Sequence, residues 1–558
     1  MFAGQGITWI LTAVTLALLP RYLGPGQMGS LGIGVSFSLL AGVVAGLGMA
    51  TLITREIARD REAGRSLLAT ALWLQTGLGV AGALACIGLG IVLGYGRTTQ
   101  FAIGINAATV PFNLLILLGF GALQGAEVMR HQAIWDSLNK LALLAALVVI
   151  AFFDLGFSTY LGISLFSAVL SAVPGVVLMH RYLPFRVFSF SPALARKLIV
   201  WSLPFCTFGI VLAVYPAVDI FLLSILSGEE AVGLYATPVR IFGTLLFGPS
   251  IIMTVVFPRL AATSAESGAQ LRRIARTTLQ VVVGVTVPVA LLTAGAGSAL
   301  LPRLVGQEFA DSAPVLLLLS LVLVSTSINM VAHRVLIAVD RQKQWTAVMC
   351  GALAAKVLLD LAFIPVFESW VGNPALGAAA AFLLVETAMV ASAFALLPKG
   401  IVDRPSARLY GRLALAAAVS AGAMLAVRPA GFAAVGLAGA LSYACVALAV
   451  RAVTIAELLS GARWLMGRQF SPAYSPTVSP LAEALLGAPE RFKGVRAPVF
   501  DFERKLPRET GAEFFQGTKG IGRWVDAKEL THSGGVGHEA HNLRSTRRQP
   551  LHDGPAAG

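Results

Sequence analysis

Five charged side chains interrupt long apolar stretches of this sequence, where each must be paired, protonated or turned toward water. Two of them, Asp219 and Arg240, lie on successive apolar runs that are joined by the short turn Ser227–Glu230. At about 1.5 Å per helical residue, both lie roughly 12–15 Å below the same surface. Opposite charges at matched depth on adjacent helices can neutralise each other. The alternative is that Arg240 meets a charged ligand, with Asp219 beside it.

The other three charges are Lys356, Asp360 and Glu386, on two later apolar runs. Lys356 and Asp360 have the i, i+4 spacing that allows a pair on one helix face. A buried carboxyl resists ionisation, which suits it to bind and release protons. We predict Glu386 and Asp360 as ion-coupling residues and Lys356 as a ligand contact, with a local Lys356–Asp360 pair as the structural alternative.

The composition requires a membrane protein, because 13% charged residues over 558 positions is about half the share of a soluble domain. The mean hydropathy of +0.78 agrees. The net charge of +14 is explained by loop arginines, and the sequence has no basic stripe interleaved with aromatics that would indicate nucleic-acid binding. The four cysteines stand singly, so we expect no metal site, disulfide framework or cofactor.

The apolar runs predict an all-α polytopic protein with about 14 transmembrane helices, since a span needs about 20 apolar residues. The predicted spans are 2–20, 31–53, 67–94, 101–125, 133–153, 159–179, 199–226, 231–257, 275–301, 313–338, 345–367, 375–397, 409–427 and 431–451.

Loop charges predict the orientation of these spans. Lysines and arginines concentrate in the loops that follow even-numbered spans, whereas the opposite loops hold only Arg21, Arg97, Arg303 and Arg428. Cytoplasmic loops carry the excess of Lys and Arg. We therefore expect a multi-pass protein of the inner (plasma) membrane with both termini in the cytoplasm.

A pattern of two glycines and an arginine occurs twice, at a constant offset of 204 residues. The positions are Gly24, Gly29 and Arg55, then Gly228, Gly233 and Arg259. Six spans separate the copies, so the two halves have parallel orientation. Parallel repeats are a known transporter plan, with the substrate site between the repeats.

These observations divide the chain into four regions. We predict a six-helix bundle over 1–197, a second over 198–400, two further membrane helices over 401–452, and a cytoplasmic region over 453–558. In the last region, 453–470 is typical of an amphipathic surface helix. The rest, 471–558, is rich in Pro, Gly, Ser and Arg and is predicted to be mostly disordered.

Several short motifs resemble the oligosaccharide and polysaccharide flippases of the multidrug/oligosaccharidyl-lipid/polysaccharide (MOP) exporter superfamily. They are Leu23-Gly24-Pro25, Gly46-Leu47-Gly48, Thr54-Arg55-Glu56-Ile57-Ala58-Arg59, Gly233-Leu234-Tyr235, Phe257-Pro258-Arg259, Leu336-Ile337-Ala338, Asp340-Arg341-Gln342, Ile364-Pro365 and Gly377-Ala378-Ala379-Ala380. The likeness covers about residues 1–400.

The resemblance implies two six-helix bundles, related by a pseudo-twofold axis, around a cavity that opens alternately to each side. It also implies a flippase rather than an enzyme. The implied substrate is an undecaprenyl-pyrophosphate-linked oligosaccharide that moves from the cytoplasmic to the outer leaflet, and polysaccharide assembly proteins are possible partners.

Under this hypothesis further polar residues become candidate substrate contacts. Arg55 and Arg259 lie at the inner mouth in equivalent repeat positions, and Arg334 lies near the inner end of the tenth span. They can capture pyrophosphate, although membrane orientation alone also places arginines there. Asn106 and Asn113 share a face of the fourth span and can bind sugar or a neighbouring helix.

Two other functions remain open from the sequence. A cation-coupled multidrug exporter of the same superfamily would favour an acidic cavity, whereas these intramembrane charges are mixed. A glycosyltransferase or polymerase of lipid-linked sugars needs a catalytic base in a substantial loop. The acidic pair Glu308 and Asp311 lies in a loop too short for that.

Overall fold

The computed structural model describes residues 2–128, 130–266 and 268–450, and within these ranges the chain consists of helices joined by short turns, with no strand. The first half contains seven helices: α1 (Phe2–Gly46), α2 (Met49–Arg59), α3 (Arg61–Val92), α4 (Arg97–Ala108), α5 (Val110–Gly125), α6 (Arg130–Phe153) and α7 (Gly156–Tyr182). The predicted amphipathic helix and disordered tail lie outside the described residues.

The second half contains eight helices: α8 (Pro192–Leu226), α9 (Gly228–Leu245), α10 (Phe247–Glu266), α11 (Gly268–Leu292), α12 (Ser298–Val305), α13 (Ser312–Ala338), α14 (Gln342–Val371) and α15 (Pro374–Leu396). Two more follow, α16 (Arg404–Ala426) and α17 (Phe432–Ala449), and they pack on each other and on α11. The boundaries predicted between the four regions stay predictions.

Eleven segments in the described part of the chain are long and apolar enough to cross a membrane, and two shorter apolar helices accompany them. The fourteen predicted spans fall on these thirteen segments, because the first and most of the second belong to the single helix α1. The prediction of an all-α polytopic membrane protein is confirmed.

Helix α1 holds two predicted spans because it is kinked at Gly24. Its 45 residues would extend about 67 Å if straight, more than twice the hydrocarbon thickness. Gly24 has φ 69° and ψ 172°, a conformation that glycine adopts without a Cβ clash. The equivalent residue of the second half, Gly228, also has a positive φ of 85°, at the turn between α8 and α9.

The two halves meet where α1 crosses α9, at the glycines of the repeat. A Cβ atom on Gly29 would lie 1.7 Å from the backbone oxygen of Glu229, and one on Gly233 would lie 1.9 Å from the backbone oxygen of Pro25. The offset of 204 residues relates Gly29 to Gly233 and also Pro25 to Glu229. The contact is therefore reciprocal, as expected for halves related by a pseudo-twofold axis.

Polar contacts extend this junction along the same membrane face, which we call the Gly24 face. The Thr99 hydroxyl donates to the Glu229 carboxylate, and Ser30 Oγ donates to the same carboxylate at 3.2 Å. The hydroxyls of Tyr95 and Ser224 are 2.6 Å apart. These bonds tie α1 and α4 of the first half, and the segment before α4, to α8 and α9 of the second.

The opposite face, where Arg55 lies, is called the Arg55 face. There α2 and α5 pack within the first half, and α10 and α13 pack within the second. No extensive contact joins α2 or α5 to α10 or α13 in the described part of the structure. The halves are thus joined near the Gly24 face, and at the Arg55 face the contact between them is that of α8 with α2 and α3.

Candidate functional site

A buried ion pair lies in the second half, where α14 packs against α8. Lys356 Nζ is 2.9 Å from Asp219 Oδ1, and the two side chains are 0% and 2% exposed. The same ammonium donates a hydrogen bond of 3.0 Å to the backbone oxygen of Tyr215. An ammonium at such depth is stable only because its charge and its protons are matched by partners.

Two aromatic rings complete the surroundings of Lys356. Its Nζ atom lies 3.9 Å from the ring centroid of Phe382 on α15 and 4.4 Å from that of Tyr215 on α8. The negative face of an aromatic ring attracts a cation, most strongly where water is excluded. Helices α8, α14 and α15 therefore all contribute to holding this ammonium.

The two aspartates of the cluster differ in their donors. The second oxygen of Asp219 accepts a hydrogen bond from the hydroxyl of Tyr235 on α9. Asp360 is fully buried one turn after Lys356 and interacts with Asp219. Neither of its oxygens accepts a hydrogen bond from any residue in the described ranges.

Glu386 lies beside this group on α15 and is buried with two donors. The Tyr215 hydroxyl donates to Oε1 at 2.9 Å, and the Asn329 amide donates to Oε2 at 2.8 Å. Tyr215 thus connects the two parts of the cluster, since its backbone oxygen binds Lys356 and its hydroxyl binds Glu386.

Of the two alternatives for Asp219 and Arg240, the structure excludes their mutual ion pair, because Asp219 pairs with Lys356. The depth of a residue in the membrane gives its position along the helix axis but not the side of the helix from which its side chain projects. Tyr235 marks the side of α9 that faces Asp219, and Arg240 follows five residues later, a rotation of about 140°. The alternative of a local Lys356–Asp360 pair is also wrong, because the ammonium is turned toward α8.

Arg240 lies on α9 and is partly exposed. Its guanidinium interacts electrostatically with Tyr160 of α7, so it lies between the two halves. In the described part of the chain no side chain forms an ion pair or hydrogen bond with this guanidinium. The prediction that Arg240 is a cavity cation stays a prediction.

The remaining predicted cations lie toward the Arg55 face. Arg55 is about half exposed and forms an ion pair of 2.7 Å with Glu56. Arg259 is half-buried on α10. Arg334 is exposed on α13, with its guanidinium 5.0 Å from the ring centroid of Phe257. Their predicted role in substrate capture stays a prediction.

The two asparagines form bonds close to themselves in sequence. Asn106 is buried and donates to the Ala102 backbone oxygen at 2.8 Å, and Asn113 is exposed and donates to the Thr109 hydroxyl at 3.1 Å. Each bond spans four residues, so these bonds are local rather than between distant helices. Sugar binding by these residues stays a prediction.

Sequence reasoning missed four neutral members of the cluster. They are Tyr215, Tyr235, Asn329 and Phe382. Tyrosine and asparagine inside apolar spans are the signal that was available, because their polar groups need partners there. In the described ranges no group of His, Cys, Asp and Glu has the arrangement of a metal site.

Comparison with solved structures identifies the fold. A lipid II flippase, MurJ, in an inward closed conformation matches with a TM-score of 0.66, at 14% identity over 80% of this chain and 98% of that one. An inward-facing multidrug resistance MATE family transporter of the MOP superfamily matches with a TM-score of 0.55, at 17% identity over 69% and 93%. The chain therefore has the all-α fold of the MOP superfamily.

The family comparison is more specific. Residues 1–264 match the model of a family described as "Polysaccharide biosynthesis protein". This match confirms the resemblance to the polysaccharide branch of the MOP superfamily. No curated protein sequence matches the chain.

Proposed function

We propose that this protein is a flippase that moves a lipid-pyrophosphate-linked oligosaccharide from the cytoplasmic to the outer leaflet by alternating access. The family match over residues 1–264 supports a role in polysaccharide synthesis, and the MOP fold supports a transport role. The single observation that carries the proposal is the position of Arg240, a cation without an acidic partner among the described residues, between the two halves.

The chemistry of the substrate explains why such a cation is needed. A pyrophosphate with a sugar chain cannot cross hydrocarbon unaided, because unpaired polar groups there cost several kcal/mol each. Arginine stays protonated and binds phosphate oxygens through two parallel hydrogen bonds. Arg240 is therefore the group that pairs with the pyrophosphate, while the lipid tail remains in the bilayer.

The contacts between the halves support a direction of access. The rule that cytoplasmic loops are rich in Lys and Arg assigns the Arg55 face to the cytoplasm. With the halves joined at the Gly24 face, the substrate is admitted from the inner leaflet. Arg55, Arg259 and Arg334 then attract the pyrophosphate at the inner mouth. The protein works in the inner membrane with both termini in the cytoplasm, beside polysaccharide assembly proteins.

A cation-coupled multidrug exporter is the second candidate function. The MATE transporter that shares this fold is described as a multidrug resistance protein, and the second half contains three buried carboxyl groups. These carboxyl groups lie within one half, and two of them already accept hydrogen bonds from tyrosine hydroxyls. They are therefore poorly placed to bind a cationic drug between the halves.

Reconstitution of the full chain in liposomes separates the two functions. We expect translocation of fluorescently tagged lipid-linked oligosaccharide and no efflux of cationic dye. Efflux of dye without translocation of the lipid would establish the exporter instead.

The variant Arg240→Ala tests the role of this guanidinium in the same liposomes. It should abolish translocation and leave the amount of folded protein unchanged, since no described ion pair is lost. Arg65→Ala is the matched control, because Arg65 pairs with Glu62 at 3.2 Å on the surface. Normal translocation by Arg240→Ala would remove this residue from the mechanism.

A further inference from the structure

The buried cluster in the second half contains more acidic groups than basic ones. Asp219, Asp360 and Glu386 are 0–3% exposed, and Lys356 is the only buried base in the described ranges. If all three carboxyl groups were ionised, the cluster would hold two uncompensated negative charges. An uncompensated carboxylate in a water-free interior is unfavourable unless hydrogen-bond donors stabilise it, so a carboxyl group without donors takes up a proton or another cation.

The hydrogen bonds show which carboxyl group takes up the proton. Asp219 is matched by the Lys356 ammonium and the Tyr235 hydroxyl. Glu386 is matched by the Tyr215 hydroxyl and the Asn329 amide. Both arrangements provide donors, which an ionised carboxylate requires.

Asp360, unlike Asp219 and Glu386, has no hydrogen-bond donor beside it among the described residues. It lies one helical turn from Lys356, whose ammonium contacts Asp219. An ionised carboxylate only accepts hydrogen bonds, so two ionised carboxylates cannot bond to each other. A protonated Asp360 can donate to Asp219, and this satisfies both groups.

We infer that Asp360 is a proton-binding residue, and that the Lys356 ammonium is the fixed cation of this site in place of a metal ion. The inference rests on the proposed transport function and names its coupling ion. Protons, not alkali metal ions, would then drive the movement of the two halves.

The position of Lys356 explains the preference for protons. Its ammonium occupies the point where Asp219 Oδ1 and the Tyr215 backbone oxygen converge, at 2.9 and 3.0 Å. A hard metal cation would need these same oxygen atoms as ligands. Because Lys356 is covalently attached to α14, it cannot exchange with ions in solution as a bound metal would.

Release of the proton changes the contact between two helices. With Asp360 ionised, two carboxylates, Asp360 on α14 and Asp219 on α8, share the single Lys356 ammonium, and their mutual repulsion disfavours close packing of the two helices. Protonation removes this repulsion and adds a hydrogen bond. The structure with α8 and α14 in contact is thus the protonated form, and deprotonation favours a form in which water reaches the cluster.

The other titratable groups near α14 are few. Helix α8 contributes Asp219 and Tyr215, α9 contributes Tyr235, and α15 contributes Glu386. On α13 the ring of His333 stacks on Trp345, with centroids 6.2 Å apart, and Trp345 precedes Lys356 by about 16 Å along α14. His333 is therefore remote from the carboxyl groups.

Infrared difference spectroscopy of the full chain in lipid nanodiscs tests the site without any substrate. We expect a C=O stretching band of a protonated carboxyl group at neutral pH that disappears when the pH is raised. The band should be absent in Asp360→Asn and present in Glu386→Gln, the matched control. A missing band in the wild-type protein, or its loss in Glu386→Gln alone, would overturn the inference.

The choice of ion is tested on the wild-type protein, so it does not depend on any variant folding. Replacement of choline chloride by sodium chloride should leave the band and the melting temperature unchanged. If sodium raised the melting temperature and removed the band, the site would bind a metal cation and the inference would be wrong.

Liposomes that contain tagged lipid-linked oligosaccharide connect the site to transport. We expect a pH gradient to accelerate translocation by the wild-type protein and to have no effect on Asp360→Asn. If the rate of translocation by the wild-type protein were the same with and without a pH gradient, the proposed coupling to protons would be wrong. Absence of translocation under every gradient would count against the proposed flippase, whereas the infrared band would still decide the proton site.

Discussion

The two halves share one helical plan but differ in what they bury. In the second half Asp219, Lys356, Asp360 and Glu386 are buried together. In the first half the buried polar side chains described are serines, threonines, asparagine and glutamine, with no charged residue among them. Because the described part of the first half packs without a buried charge, the fold does not require one. The charges of the second half are therefore best explained by function.

Replacement of Asp219 should give the largest effect on stability. Asp219→Asn leaves the Lys356 ammonium buried without its counter-charge, which typically costs about 3–5 kcal/mol. We expect a marked loss of melting temperature in detergent, followed by intrinsic fluorescence.

The double variant Asp219→Asn/Lys356→Met is the control for this prediction. It removes both charges and should recover most of the lost stability, because an uncharged pair can be tolerated where half a pair cannot. If Asp219→Asn alone were as stable as wild type, the two halves would not differ in the way described.

The glycine contact should respond equally in both halves. Gly29→Ala and Gly233→Ala each place a Cβ atom within 2 Å of a backbone oxygen, and overpacking of this kind costs about 1–3 kcal/mol. The helices should separate, and cysteines introduced at the Gly24 face should react faster with a water-soluble maleimide. Gly26→Ala is the matched control, since a Cβ there has no neighbour within 4 Å.

The smallest effect is expected from a neutral polar residue of the first half. Gln75 is buried and donates to the Gly46 backbone oxygen at 2.9 Å, so Gln75→Met removes one hydrogen bond, worth about 1 kcal/mol. Thermal unfolding should change little, and pH should not alter the difference from wild type. A loss as large as that of Asp219→Asn would show that the first half also depends on a buried polar site.

The sequence was sufficient for the spans and for the glycine repeat. Apolar length locates a membrane helix, and Gly29 and Gly233 carry the same local requirement for close approach in both halves. The partners of the buried charges could not be obtained in this way. Asp219 and Lys356 are 137 residues apart, and their pairing depends on how α8 and α14 are rotated, which depth along a helix does not reveal.

The same limit explains the position of Arg240. Its depth was read from the sequence, but its direction, away from Asp219 and toward Tyr160, follows from the packing of α9 against both α8 and α1. Neutral side chains such as Tyr215 and Asn329 were missed because many such residues in spans bond only to their own helix, as Asn106 does.

The reciprocal contact at Gly29 and Gly233 has a consequence for how the protein changes shape. Each glycine rests on the backbone of the opposite helix, so neither contact can loosen while the other stays intact. Separation of α1 from α9 is then a single concerted event without a half-released stage. For the proposed flippase, this means that its two sides are exposed in strict succession, which protects the membrane from leakage.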